Sequence, residues 1–246
     1  MPFTNFPKGI TSFGVPIFGG SGQDISGNTY FVENNSGSNS NDGKSWKKAF
    51  KTLAKAIAIS NADITGTFAA RRNTIYLVAD TTAETLIVFP NKCDVIGVGS
   101  YDANSKPGIT GHHAPVNTSN YGTRFINIWF KSVATGTPIV TLASTSSGIQ
   151  FLGCTFDAAA GTITSGILDT ASPFLKVIGC DFFGPFATSY ITFGTGEAGG
   201  TNISNNTMAG SATSGIVVGS GMTAAYSSYI KDNFIYAPGI VINDAV

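Results

Sequence analysis

Few residues of this chain have the chemistry to act on a substrate. The acids of its C-terminal half are Asp157, Asp169, Asp181, Glu197, Asp232 and Asp244. Two carboxylates held together on one exterior surface would support acid–base cleavage of a glycosidic bond, or hold a cation. The only histidines, His112 and His113, are adjacent. Neighbours on a strand point to opposite faces, so the two cannot serve one site. Lying between Gly111 and Pro115, they read as loop residues. Arg71 and Arg72 precede the apolar run Thr74–Val78 and read as strand-flanking residues. The three cysteines contain no CxxC pair, so neither a zinc site nor a disulfide framework is indicated. The polar loop 34–43 has the look of a calcium loop but lacks a Glu at the twelfth position in either register. No metal site, cofactor or catalytic residue is therefore expected. The acids could still gather if the fold stacks them, so the elements that position them matter.

Those elements repeat. The segments Val95–Ser100, Phe125–Phe130, Phe151–Phe156, Val177–Phe182, Ile203–Met208 and Ile230–Ile235 share one pattern. Their third residues are Gly97, Asn127, Gly153, Gly179, Asn205 and Asp232, spaced 30, 26, 26, 26 and 27 apart. Only Gly, Asn and Asp occupy this column, and these are the residues that tolerate a left-handed backbone at low cost. Apolar residues stand two positions before it and, except at Ser100, three positions after it. Two short strands therefore meet at a sharp corner and share an interior. The residue after the corner reads Val98, Ile128, Cys154, Cys180, Asn206 and Asn233, so like stacks on like. A second column, Ile167, Ile191, Ile216 and Ile240, keeps nearly the same period. Leucine-rich repeats would need an LxxLxL pattern, which is missing, and sandwiches space their strands irregularly. The expected fold is all-β: a right-handed parallel β-helix, or solenoid, over residues 29–246. On this alignment no two acids share a column on neighbouring rungs. Asp157 and Asp181 can form only a diagonal pair. Cys154 and Cys180 fall on adjacent rungs, where a disulfide is geometrically allowed but free buried thiols are the commoner state.

The N-terminal quarter is different. Residues 1–56 carry six Lys and three acids, net +3, whereas residues 132–246 carry two Lys and six acids, net −4. Trp46, Phe50, Leu53, Ala54 and Ile57 fall at helical spacing, which predicts a capping helix over about 46–59 with Ser45 as N-cap. Lys47, Lys48, Lys51 and Lys55 lie on its other side, either as a solvated face or as a contact to an acidic partner. Residues 1–28 form an arm in which Phe3, Phe6, Ile10, Phe13, Val15, Ile17 and Phe18 alternate with Pro and Gly. Such a segment cannot be a regular helix and is too apolar for a free linker. It is expected to lie extended across another subunit, or folded back on its own solenoid. Charged residues make up only 11% of the chain, which calls for burial of surface in an assembly. Zero net charge gives no reason to expect nucleic-acid or membrane binding. The first twenty residues hold no apolar run of the signal-peptide kind, so synthesis in a cytoplasm without export is expected.

Tyr30–Val32, the run 37–46 and the run 49–57 together resemble the entry segment of the pectate-lyase-like superfamily of right-handed β-helix proteins. The stretch Thr4–Pro16 resembles the N-termini of β-helix virion proteins of tailed bacteriophages. The resemblance covers about residues 1–60. It implies a virion protein assembled in the host cytoplasm, most simply a trimeric capsid decoration (cement) protein. Its partners would be the major capsid protein or another virion protein, and the arm residues and the four lysines would anchor it. Two other readings follow from the same resemblance: a tail spike or fibre that binds a host surface glycan, and a glycan-degrading enzyme.

Overall fold

The computed structural model describes residues 10–12, 15–18, 27–64, 71–78, 81–99, 106–116, 120–133, 135–158, 161–194, 199–219, 227–236 and 239–242. It is a parallel β-solenoid with three faces. The first face has eight strands: Thr29–Val32, Asn73–Val78, Cys93–Val98, Arg124–Ile126, Gln150–Leu152, Lys176–Ile178, Asn202–Ser204 and Tyr229–Lys231. The second runs from Thr81–Ala83 through Trp129–Lys131 and Thr155–Asp157 to Phe234–Ile235. The third runs from Val140–Leu142 to Ile240–Ile242, and the long strand Asp181–Phe193 belongs to both the second and third faces.

The repeat columns appear as register. Phe125, Phe151, Val177, Ile203 and Ile230 align on the first face, and Phe130, Phe156, Phe182, Met208 and Ile235 on the second. Ile167, Ile191, Ile216 and Ile240 align on the third, with Val140 beneath them. All point inward. Phenylalanines stack along the axis with rings 10° apart, at 5.5 Å for Phe125–Phe151, 5.3 Å for Phe130–Phe156 and 4.6 Å for Phe156–Phe182. This is dense aromatic packing at the rung spacing.

The corner column holds its left-handed backbone at Asn127 (φ 56°), Gly153 (58°), Gly179 (64°), Asn205 (57°) and Asp232 (56°). Gly97 departs from it: it is an ordinary strand residue, and its glycine is needed because a Cβ would lie 2.0 Å from the Asn127 carbonyl oxygen. Register aligns Ile109 with Phe130, so the column position read for Ser100 belongs to Ile109; Ser100 itself lies outside the described residues. The chain makes an insertion between residues 98 and 108 before it starts the second face. A second left-handed corner, not expected from the repeat, precedes the first face at Lys92 (45°), Gly122 (65°), Gly148 (66°), Phe174 (63°) and Gly200 (72°).

The N-terminal end is closed. The cap is shorter and starts later than helical spacing predicted: a 3-10 turn at Trp46–Lys48, then an α-helix, α1, at Leu53–Asp63 with Thr52 as N-cap. Phe50 cannot join a helix because it pairs with the first strand, its N–H donating to Phe31 O and its carbonyl accepting from Glu33 N–H, each at 2.9 Å. Ser45 caps only the 3-10 turn, without a side-chain bond, and Ala54 is exposed while Leu53, Ala56, Ile57 and Ser60 are buried. The Glu84 carboxylate accepts the N–H groups of Leu53 and Ala54 at 2.8 Å each, satisfying orphan donors at the positive end of α1. With Gly43 O accepting from Phe31 N–H, the outer edge of the first strand is covered.

Within the arm, Ile10–Ser12 and Val15–Phe18 pair antiparallel as a two-stranded sheet of their own. This part of the arm is doubled back on itself rather than extended singly.

The corner geometry yields a direct test. A Cβ at Gly179 would meet nothing within 4 Å, so only its φ penalises a side chain. Gly179→Val should cost about 1–2 kcal/mol, and Gly179→Asn only a fraction of that. Thermal denaturation of both variants measures the difference; equal shifts would refute the corner assignment.

Candidate functional site

The acids of the sequence are brought together only in part. Asp157 aligns with Phe183 and Asp181 with Thr155, so the two acids are diagonal neighbours on the outside of the second face. That offset places their Cα atoms about 8 Å apart, from the strand and rung spacings. Asp157 is buried, and half-exposed Asp181 lies 3.9 Å from the ammonium of Lys106. Lys106 is fully buried, donating to Gly153 O at 3.0 Å and Thr155 Oγ1 at 2.9 Å. Beside them the Lys131 ammonium lies 3.6 Å from the centre of the Trp129 ring. Asp169 points to the interior and Asp232 occupies a corner. Glu197 and Asp244 lie outside the described residues. Among the described residues no group of three or more metal-ligating side chains comes together.

The histidines, Arg72, Arg124 and the cysteines make contacts within the fold. His113 is not a loop residue but an interior one: it bridges to Val140, packs edge-on against Phe130, and its Nδ1 accepts from Leu86 N–H at 3.2 Å. Burial holds its pKa down at about 3, so the ring is neutral. His112 points the other way, its Nδ1 2.5 Å from Pro138 O. Arg72 and Arg124 both clamp Asp94, and Arg72 also donates to Gly122 O at 2.8 Å. The cysteines are free and buried. Cys154 and Cys180 each donate to a carbonyl of the preceding rung, Phe125 O at 3.3 Å and Phe151 O at 3.4 Å. One rung further, Asn206 Nδ2 does the same to Val177 O at 2.9 Å and also reaches Asn233 Oδ1 at 2.8 Å, so the two stacked asparagines are hydrogen-bonded to each other.

The proposed anchoring residues divide in the same way. Phe3, Phe6 and Phe13 lie outside the described residues, whereas Ile10, Val15, Ile17 and Phe18 stand in the hairpin strands. The lysines do not share one helix face. Lys47 and Lys48 are exposed on the 3-10 turn, Lys51 is exposed in the following loop, and half-buried Lys55 lies on α1. Loop 34–43 is tied to this base: Asn39 Oδ1 accepts the N–H groups of Lys51 and Thr52, both at 3.1 Å. The Lys44 N–H bonded to Asp42 holds that carboxyl below its usual range, and Lys48 lies 3.5 Å from it. The result is a rigid, lysine-bearing end surface.

No family model, curated protein or solved structure matches the chain. The parallel solenoid agrees with a β-helix superfamily at the level of fold.

The interior position of Asp169 escaped the sequence reading because it is the one acid in an inward column otherwise made of Leu142, Phe193 and Val218. Its Oδ1 accepts from Ser172 N–H at 2.7 Å, while Oδ2 is buried without a partner. Burial pushes its pKa up to about 7. Since the folded value lies above the unfolded one, protonated Asp169 contributes stability that is full below about pH 4 and is lost as pH rises through about 7. His113 acts in the opposite sense, contributing stability above its unfolded value that is lost as pH falls towards about 3. Asp169→Asn should therefore gain thermal stability over the native chain progressively from pH 4 to pH 8. A difference between the two melting temperatures that does not change with pH would refute this assignment.

Proposed function

We propose that the protein is a structural component of a tailed-phage particle, a capsid decoration protein that stands on the shell by its N-terminal end. The observation that carries this reading is the separate sheet of the hairpin. Ile10–Ser12 and Val15–Phe18 pair with each other and with none of the three faces, while the described core is assembled from Tyr30 onward. An apolar arm that the solenoid sheets do not use, placed before a rigid base bearing Lys44, Lys47, Lys48 and Lys51, suits a grip on a partner surface. The major shell protein is the partner this reading names, and a homotrimer is the expected form. Resemblance of residues 4–16 to phage virion N-termini supports the same reading.

A second reading, a tail component that binds a surface glycan, draws on the outer second face. There Trp129, Lys131, Asp157 and Asp181 combine an aromatic ring with polar groups. Glycan binding abolished by Trp129→Ala would favour it.

Deletion of residues 2–20 tests the first reading. Burying even half the arm's apolar surface, at ~25 cal/mol per Å², is worth several kcal/mol to attachment. The truncated chain should keep its β-type circular dichroism and lose co-sedimentation with undecorated shells. Unimpaired attachment would remove the arm as anchor and leave the lysine base, whose contribution should fall with added salt.

A further inference from the structure

The hairpin of the arm has two edges, and only one of them is blunted. Register pairs Ser12 with Val15, Thr11 with Pro16 and Ile10 with Phe18. Residues opposite each other in an antiparallel pair alternate between those that exchange both backbone bonds and those that exchange none. Pro16 has no N–H, so Thr11 and Pro16 must be a pair of the second kind. The backbone groups of both residues therefore point away from the hairpin, one set towards each free edge. On the Val15–Phe18 side that edge lacks its donor at Pro16. Ile17 is also passed over between the pairs at Pro16 and Phe18, which puts a bulge in the same strand. Prolines and bulges are what keep a sheet edge from pairing. On the Ile10–Ser12 side Thr11 presents both an N–H and a carbonyl, with neither obstacle.

We infer that the arm docks by strand addition: Ile10–Ser12 joins an open sheet edge of the partner, and the Thr11 N–H and carbonyl bond to the backbone of a partner strand. The occupant is thus an extended polypeptide strand, because only a strand offers backbone donors and acceptors at the matching spacing. Resting on the function proposed above, that strand belongs to the shell protein. A two-stranded hairpin alone is marginal in water, and a third strand is what makes such a sheet stable. The hairpin pairs with no described strand of its own solenoid. The nearest in sequence, Thr29–Val32, is closed on its outer edge: Phe31 N–H donates to Gly43 O and Phe31 O accepts from Phe50 N–H, each at 2.9 Å. Ile10–Ser12 and Val15–Phe18 carry no charge, so main-chain bonds rather than ion pairs are what this segment offers a partner. Strand addition also fixes the direction in which the arm leaves the partner, which apolar contact alone does not.

The test uses the full chain and undecorated shells. The Thr11 amide hydrogen should exchange freely in the unattached chain and about tenfold or more slowly once the chain sits on shells. Thr11→Pro removes that N–H and leaves a partner carbonyl unbonded, so it should attach about tenfold more weakly than Thr11→Val, which keeps it. Should Thr11→Pro distort the hairpin itself, the exchange measurement on the native chain decides. A Thr11 amide already slowed in the unattached chain would assign this edge to the chain itself or to a second copy, and would overturn the inference. So would an amide that stays fast on shells, or a Thr11→Pro variant that attaches as tightly as Thr11→Val. The deletion of residues 2–20 separates the two readings. If it abolishes attachment while the Thr11 results are negative, the arm remains the anchor and strand addition alone falls. If it leaves attachment unimpaired, both fall.

Discussion

Everything in this solenoid depends on a backbone amide that must keep pointing along the axis while the chain turns a corner. Asn127, Gly153 and Gly179 donate their N–H groups to Leu152, Ile178 and Ser204 of the next rung at 2.9–3.1 Å. At the other corner Lys92, Gly122, Gly148 and Phe174 donate to Tyr121, Ser147, Pro173 and Gly199 at 2.7–2.9 Å. A left-handed φ is what allows the direction change without losing that bond, and an unpaired buried amide would cost more than the strained dihedral. The solenoid therefore accepts Lys92 and Phe174 in positions that favour glycine. Phe174 lays its ring over Gly200, where a Cβ would come within 2.4 Å of it, so the strained residue and the bare one below it fit as a pair.

Given fixed corners, the interior has little freedom. Each rung adds one inward residue per column, and stacked phenylalanines give way to Val177, Ile203 and Met208 farther along. The residue after the first corner changes from Ile128 to two cysteines and then to two asparagines, yet the task is conserved, because thiol and amide alike donate to a carbonyl one rung back. These cysteines are placed for hydrogen bonding and packing. Burial also pushes the Cys93 thiol up to about 12, so it is held as a neutral thiol.

The parts legible in the sequence are those where residue type and backbone requirement coincide. Asn127, Gly153, Gly179, Asn205 and Asp232 are the residue types a left-handed corner selects, and the isoleucines of the third face recur at the rung period. The second corner was hidden because Lys92 and Phe174 interrupt Gly122, Gly148 and Gly200 with types that do not advertise their dihedrals. The insertion after Val98 broke the period and sent Ser100 to a column that belongs to Ile109. Helical spacing from Trp46 was real, but Phe50 bonds to a strand distant in sequence, and that contact decides where the helix starts. The interior place of Asp169 was hidden because inside and outside become distinguishable only when the register of every strand is known.

The corner spacing also makes the molecule a ruler. From Asn127 to Gly153 to Gly179 to Asn205, each interval is 26 residues and each adds one rung. A tandem duplication of one such interval would begin and end in the same backbone conformation, so it could enter the middle of the stack without disturbing either end. The reach of the molecule would then grow in steps of ~4.8 Å, each new step carrying its own share of interior and exterior columns. Height is thus a heritable quantity written in whole repeats, and it can change while the capped N-terminal end stays as it is.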